Sequence, residues 1–359
     1  MYVIKQKELI IMTKTAFAFD LGNGYVKAMN SKREIIAPSM IARESAVGSS
    51  SIFNILKHSS NKGYEVFESQ LDDTTKYVWG EGITEAVAPE SLIATYTHND
   101  RYTQKRFKLL CTFILAELAS DFTDEELLDV VVVTGLPSQE IGTEDERKFK
   151  EFLQQKHVVT RNGEQRMINV TDVRIVEQPL GTLLNLYMNN EGQFHEELLT
   201  STLTLLDFGA GTTIMDTFKN FKRLPEKSET FYEGMNDLHR AIAKELEKQH
   251  NIKGLDPSYV DEGFRRGDFI AEVSNRKKYP FEEIAKQAVE YFIDKRLAEV
   301  DRTLTNRDNV DKFIITGGGA NIVKDYFLKA FKEANTTVIQ DSQRANLKGF
   351  YKLASLLSQ

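Results

Sequence analysis

The chain has 359 residues, enough for two domains that each bury a core of their own. Its net charge of −7 excludes broad binding to nucleic acid or to anionic membrane through an overall basic field, though not a local basic patch. The single cysteine, Cys111, lies inside the apolar run from Phe107 to Leu118, so neither a disulfide framework nor a cysteine-rich metal site is available, and a reducing cytoplasm is the expected compartment.

No apolar run approaches the roughly 18 residues of a membrane span. Residues 1–11 lack the apolar core and small-residue cleavage site of a signal peptide. The first domain is expected to begin near Thr13, with Met12 an alternative native start. Thr15 to Phe19 is a β-branched and aromatic run and reads as a strand. It delivers Asp20-Leu21-Gly22-Asn23-Gly24-Tyr25-Val26-Lys27, a tight turn with a carboxylate, two glycines and a lysine, and Tyr25 to Met29 returns as a second strand. Glu34 to Ala37 continues the meander. Residues of about 39–102 are irregular, with polar clusters at Ser49-Ser50-Ser51 and at Ser59-Ser60-Asn61-Lys62-Gly63, and read as a small inserted subdomain in which Trp79 is a packing residue.

Thr103 to Ser120 carries Phe107, Leu110, Ile114 and Leu118 at helical spacing. The valine run from Asp129 to Pro137 reads as a central strand buried on both faces. Thr143-Glu144-Asp145-Glu146 opens a helix with a capping box, and Asn162-Gly163 marks a hairpin. A further buried strand, Val173 to Val176, ends at Glu177-Gln178-Pro179 and runs into a helix through Leu183 and Leu184. The theme then recurs about half the chain later. Leu203 to Asp207 is a strand, Asp207-Phe208-Gly209-Ala210-Gly211-Thr212 a glycine turn, and Thr213 to Phe218 the returning strand. Asn236 to Gln249 is helical, and Phe281 to Leu304 is a long helix expected to bury Ile284, Ala288, Tyr291, Phe292 and Val300. Residues 254–276 are charged and carry no assignable motif. Phe313 to Thr316 delivers Gly317-Gly318-Gly319 into a helix that begins at Ala320-Asn321. Gly349 to Leu357 reads as an apolar helix sealing a core.

A single Gly-x-Gly turn also closes ordinary hairpins; the second copy at Asp207 argues for chemistry. Glycines let backbone N–H groups approach phosphate oxygens, a lysine adds a point charge, and an aspartate can hold a hydrated Mg²⁺. Neither a Walker A loop nor a dinucleotide-binding fingerprint occurs. Two such turns make sense if two similar domains face each other and grip one nucleotide.

These motifs, with Val132 to Pro137 and Val176 to Pro179 between them, resemble the actin, Hsp70 and sugar-kinase superfamily. Within it the chain is most similar to ParM-type plasmid-segregation actins, on Asp20 to Lys27, Thr134 to Thr143, Gln178 to Leu184, Leu206 to Asp216 and Thr316 to Asn321. The resemblance implies an α/β actin-like ATPase fold. Its two RNase H-like domains would face across a nucleotide cleft, each with an additional subdomain. The divisions would be 13–200 (insert about 39–102), 201–340 (subdomain about 236–290) and a return of 341–359 to the first domain. It implies ATP, with GTP as an alternative, and Mg²⁺ held by Asp20 and Asp207. Nucleotide contacts would come from Asp20, Gly22, Asn23, Gly24, Tyr25, Lys27, Gly209, Ala210, Gly211, Thr212, Lys244, Gly317, Gly318, Gly319 and Asn321. Gln178 matches the residue that orients the attacking water, with Glu177 the other candidate, since strand alternation would let one of them face the nucleotide. The catalytic set is then Gln178, Glu177 and Asp207.

The implied function is a cytoplasmic ATPase that polymerises and moves plasmid DNA through a small ParR-like DNA-binding adaptor at a centromere-like site, with no direct DNA or membrane binding. The competing readings are a non-polymerising small-molecule kinase of the same superfamily and a membrane-associated cytoskeletal scaffold. A chaperone would need a further substrate-binding domain.

Overall fold

The continuous apolar runs become strands covered on both faces. The computed structural model describes residues 14–47, 63–95, 100–122, 126–196, 200–331 and 335–359. The expected start at Met12 or Thr13, the Ser49-Ser51 cluster and most of the Ser59 cluster lie outside these residues. The chain divides into two units, residues 1–193 with 346–359, and residues 194–345.

In the first unit the strands are β1 (Thr15–Leu21), β2 (Tyr25–Met29), β3 (Glu34–Pro38), β4 (Met40–Arg43), β5 (Glu65–Ser69), β6 (Asp72–Trp79), β7 (Ile93–Ala94), β8 (Leu127–Leu136), β9 (Lys156–Arg161) and β10 (Glu164–Glu177). They form one ten-stranded sheet in the order β3-β2-β1-β8-β10-β9-β5-β6-β4-β7. The described strands of the irregular 39–102 stretch belong to this sheet. β10 is also longer than expected: the hairpin arm after Asn162-Gly163 and the strand ending at Glu177 are one element, with an irregularity between Val170 and Asp172. Asn162 and Gly163 both have positive φ, which suits a two-residue hairpin turn.

Alternation along β1 sorts its side chains. Phe17 and Phe19 enter the core with Phe107, Leu110, Ile114 and Leu118 of α2 (Lys105–Ala119; α1 is the short Ile83–Ala86). Each buried phenylalanine contributes about 2–3 kcal/mol. Ala16 and Ala18 point the other way and pack with Leu347, Phe350 and Ala354 of the C-terminal helix, Ala345–Leu357. Small residues there let that helix come close. A Cβ on Gly135 would lie 2.4 Å from the Phe350 ring, and one on Gly181 would lie 2.7 Å from the Asn346 carbonyl. The remaining helices of this unit are α3 (Glu144–Leu153), whose N-cap is Thr143, and α4 (Gln178–Tyr187). Trp79 is buried, and its Nε1 donates to the Pro38 carbonyl at 2.9 Å.

The second unit repeats the arrangement. Its strands are β11 (Thr202–Phe208), β12 (Thr213–Lys219), β13 (Lys222–Arg223), β14 (Glu229–Phe231), β15 (Ile270–Ser274), β16 (Lys277–Pro280), β17 (Lys312–Thr316) and β18 (Thr336–Val338). β13-β12-β11-β17-β18 form one sheet with β14 on β12, and β15-β16 make a separate two-stranded sheet. In each unit, then, a strand ending near an aspartate has an antiparallel hairpin partner on one side and a parallel strand on the other. The helices are α5 (Met235–His250), α6 (Ser258–Arg266), α7 (Glu282–Leu304) and α8 (Ala320–Phe331). One expected core residue is misplaced: Tyr291 is 76% exposed. The buried stripe of α7 runs through Ala285, Val289, Phe292, Ile293, Arg296 and Val300, and residue 291 lies off it.

Candidate functional site

In the first unit, the β1–β2 register sets Asp20 opposite Lys27. Asp20 is 1% exposed, yet both of its carboxylate oxygens have donors. Lys27 Nζ lies 2.9 Å from Oδ2, and Gln178 Nε2 donates to Oδ1 at 2.9 Å. The structure therefore brings two sequence-selected residues, Lys27 and Gln178, to the carboxylate of a third, with Gln178 158 positions from Asp20.

Gln178 is the first residue of α4, with Pro179 behind it, and Glu177 is the last residue of β10, opposite Leu136. The expectation that strand alternation separates this pair needs correcting. The chain passes from strand to helix between them, so strand alternation does not govern the pair. Proline suits this place because the first-turn N–H groups of a helix need no intrahelical acceptor.

The turn itself is held from behind. Ser39 Oγ donates to the Gly22 carbonyl at 2.6 Å and Ser39 N–H to the Gly24 carbonyl at 2.9 Å, while Arg101 Nη2 donates to the Leu21 carbonyl at 2.7 Å. Gly22 has no room for a side chain, since a Cβ would lie 2.7 Å from the Tyr25 carbonyl, whereas Gly24 faces open space. Asn23 and Tyr25 are exposed beside it.

In the second unit Asp207 pairs with Ile214 and with Thr316, which sets it beside the late glycine turn. A Cβ on Gly317 would lie 2.3 Å from Asp207 Oδ1 and 2.6 Å from the Phe208 nitrogen, and its φ is +90°. Only glycine meets both demands. Ser342 Oγ donates to the Gly317 carbonyl at 2.7 Å, and Gly319 N–H donates to the Phe208 carbonyl at 3.0 Å. The Gly209–Thr212 loop closes on itself through Gly209 N–H to the Thr212 carbonyl at 2.9 Å. Its carbonyls then receive the start of α5: Met235 N–H donates to Gly209 at 3.0 Å and Asn236 N–H to Ala210 at 2.8 Å. Gly234 allows this approach, because a Cβ there would lie 2.5 Å from the Thr212 nitrogen. Asp237 caps the helix by accepting from Gly234 N–H at 3.0 Å. Burial opposes its charge, but that bond and Arg240 hold its carboxyl below the usual range.

The structure thus groups Asp20, Gly22, Asn23, Gly24, Tyr25, Lys27 and Gln178 in the first unit. In the second it groups Asp207, Gly209, Ala210, Gly211, Thr212, Gly317, Gly318 and Gly319. Asn321 is exposed at the second position of α8, next to the glycine turn. Lys244 is exposed on α5, about 13 Å along the helix from Met235, away from the loop that the helix start supports. Ser39, Arg101 and the segment of residues 233–236 are not evident from sequence. Only Gly234, directly before a helical pattern, gave any signal.

Two open-loop, Asp-bearing sheets of this design, one in each unit, define an actin-like protein. Residues 18–181 match the family model for the N-terminal domain of actin-like proteins, and residues 205–329 match that for the C-terminal domain of the archaeal MreB-like actin homologue. The chain belongs to the ParM-type actin-like proteins: it is 30% identical to the apo psk41 ParM protein, with a TM-score of 0.78, covering 96% of this chain and 98% of that one. The archaeal actin homologue Ta0583, solved in complex with ADP, shares the fold at 19% identity and a TM-score of 0.73, over 95% of this chain and 99% of that one. A 15-stranded ParM filament from Clostridium botulinum does so at 17% identity and 0.74, over 96% and 99%. Among curated proteins, none matches the chain.

Proposed function

We propose that this protein is an ATPase that polymerises with nucleotide and drives plasmid DNA partition through a small DNA-binding adaptor, in the cytoplasm. The observation that carries the nucleotide part is the Lys27–Asp20–Gln178 cluster beside a glycine turn with an open side. The family, and the filament named in one of the solved relatives, support the assembly part.

On this reading the Asp20–Lys27 turn of the first unit is a phosphate-binding element, and so, within its own unit, is the Gly209–Thr212 loop of the second. The Gly317–Gly319 turn, with Asn321, receives the nucleoside, and Lys244 of α5 is a more distant contributor. Lys27 exchanges part of its bond to Asp20 for a phosphate oxygen. Gln178 keeps Nε2 on Asp20, which leaves Oε1 free to accept from a water in line with the terminal phosphoryl group. That water forms a bond to phosphorus, the bond to the ADP oxygen breaks, and the water's protons pass to phosphate and solvent. A neutral amide orients water but is a weak base, which suits slow, timer-like turnover. Glu177 remains the alternative to Gln178.

The donor set fits magnesium rather than a fully protein-ligated metal. Among the described residues no three acidic, histidine or cysteine side chains gather. A cation approached by Asp20, or by Asp207, would keep most of its waters, as Mg²⁺ does. When bound it would neutralise phosphate charge. The test is phosphate release from ATP by the purified chain, with Mg²⁺ and with excess EDTA. Magnesium-dependent release that falls at least tenfold in Asp207→Ala supports the reading. Phosphate transfer to a small metabolite without assembly would replace it with the kinase reading.

A further inference from the structure

The first glycine turn is held in shape by a residue that no motif contains. Ser39 sits between β3 and β4, 2% exposed, and uses three of its polar groups on fixed partners. Its Oγ and its N–H take the carbonyls of Gly22 and Gly24, as described above. Its own carbonyl accepts from Thr95 N–H at 3.1 Å and Thr95 Oγ1 at 2.8 Å, and Thr95 is 1% exposed. The preceding carbonyl, of Pro38, is held by Trp79. Ser39 is thus fixed on one side to the sheet's β6–β7 region and on the other to the turn.

The direction of those bonds matters. A trans peptide points its C=O and the following N–H in opposite directions. Drawing the Gly22 carbonyl toward Ser39 therefore turns the Asn23 N–H outward, away from the serine. The N–H groups of Asn23 and Gly24 donate to no group among the described residues. An outward backbone N–H in a glycine turn can contribute to an anion-binding concavity.

We propose that Ser39 is a positioning residue for nucleotide phosphate: it fixes the Gly22–Asn23 peptide so that the Asn23 N–H faces a phosphate oxygen. This rests on the nucleotide reading above and adds to it the element that preorganises the turn. Without the hydroxyl, the peptide can rotate, and the ligand must supply the ordering.

The test is calorimetric titration of wild type and Ser39→Ala with ADP, with a non-hydrolysable ATP analogue and with adenosine, all in Mg²⁺. The expected result is a loss of about tenfold for the two phosphate-bearing ligands, the effect of one short hydrogen bond, with adenosine unchanged. Ser39→Thr, which keeps the hydroxyl, restores most of the affinity. Thr95→Val, which removes one of the two bonds to the Ser39 carbonyl, gives a smaller loss with the same selectivity and serves if Ser39→Ala folds poorly. Undiminished ADP affinity in both Ser39→Ala and Thr95→Val overturns the proposal, as does a loss that includes adenosine equally. If wild type binds neither ADP nor the analogue, the nucleotide reading itself fails and the inference falls with it.

Discussion

Replacing Gln178 with leucine separates a chemical role from a structural one. The side chain keeps its approximate volume but loses the Nε2 donor, so Asp20 Oδ1 is left without that partner in a residue that is 1% exposed. Lys27 still holds Oδ2. Leaving one buried acceptor unsatisfied costs about 1–3 kcal/mol, which lowers the melting temperature of a domain of this size by roughly 2–12 °C. The chemical loss is larger. If Oε1 orients the attacking water, its removal slows phosphate release by about a hundredfold, the scale of losing a positioning contact to the reacting atom. The assay is single-turnover phosphate release at saturating ATP and Mg²⁺, well below the variant's melting temperature, with nucleotide affinity measured separately. Glu177→Gln run alongside is expected to stay within about threefold of wild type. If Gln178→Leu melts early but releases phosphate at the wild-type rate, the amide only braces Asp20 and the mechanism is wrong; if Glu177→Gln is the slow variant, the roles are exchanged.

Gly317→Ala combines a Cβ 2.3 Å from Asp207 Oδ1 with a φ of +90°, so it is expected to lose about 2–4 kcal/mol in urea unfolding and most of its nucleotide affinity. Gly211→Ala, whose Cβ would meet nothing within 4 Å, stays within about 0.5 kcal/mol of wild type in the same titration. Burial pushes the Cys111 thiol up to about 12, so this sole cysteine is expected to resist a thiol reagent at pH 8 in the native protein and to react at once in denaturant. Burial also lowers the pKa of His157 and of His239 below 6.5, more than the bond of His157 to the Leu153 carbonyl and the charge of Asp261 near His239 raise them. The unfolded chain then binds more protons than the native one below that value. Stability should be fully present above pH 6.5 and fall on acidification toward the native pKa values, with a slope of at most about 1.4 kcal/mol per pH unit for each histidine. His157→Phe should flatten that slope in urea unfolding between pH 7.5 and 5.5; an unchanged slope would assign the acid sensitivity elsewhere.

The parts of the molecule legible in the sequence are those in which local pattern and tertiary environment agree. The phenylalanines of β1 and the valine run of β8 mark strands buried on both faces, and the glycine turns after Asp20 and Asp207 mark where those strands must bend sharply. Gln178 stands out through the resemblance, directly before Pro179, and the structure sets its Nε2 on Asp20; strand alternation does not govern its relation to Glu177, because the helix begins between them. Tyr291 reads as apolar beside Phe292, but the packed stripe of α7 passes through residues 289, 292 and 296 and leaves it exposed. Ser39 and Arg101 gave no signal at all. Their partners lie 17 and 80 positions away, and a serine after a proline in a meander has no pattern of its own. The extension of the first sheet through β5–β9 was hidden for the same reason, since strand pairing over about 90 residues depends on the register of short, mixed segments.

Sedimentation of the purified protein over a range of concentrations, with Mg²⁺ and ATP, with Mg²⁺ and ADP, and without nucleotide, tests the central claim most directly. The account predicts pelletable filaments with ATP that shrink as phosphate is released, and little pelleting without nucleotide. Absence of assembly with ATP at every concentration, from protein that nevertheless binds and hydrolyses it, would contradict the filament-forming reading.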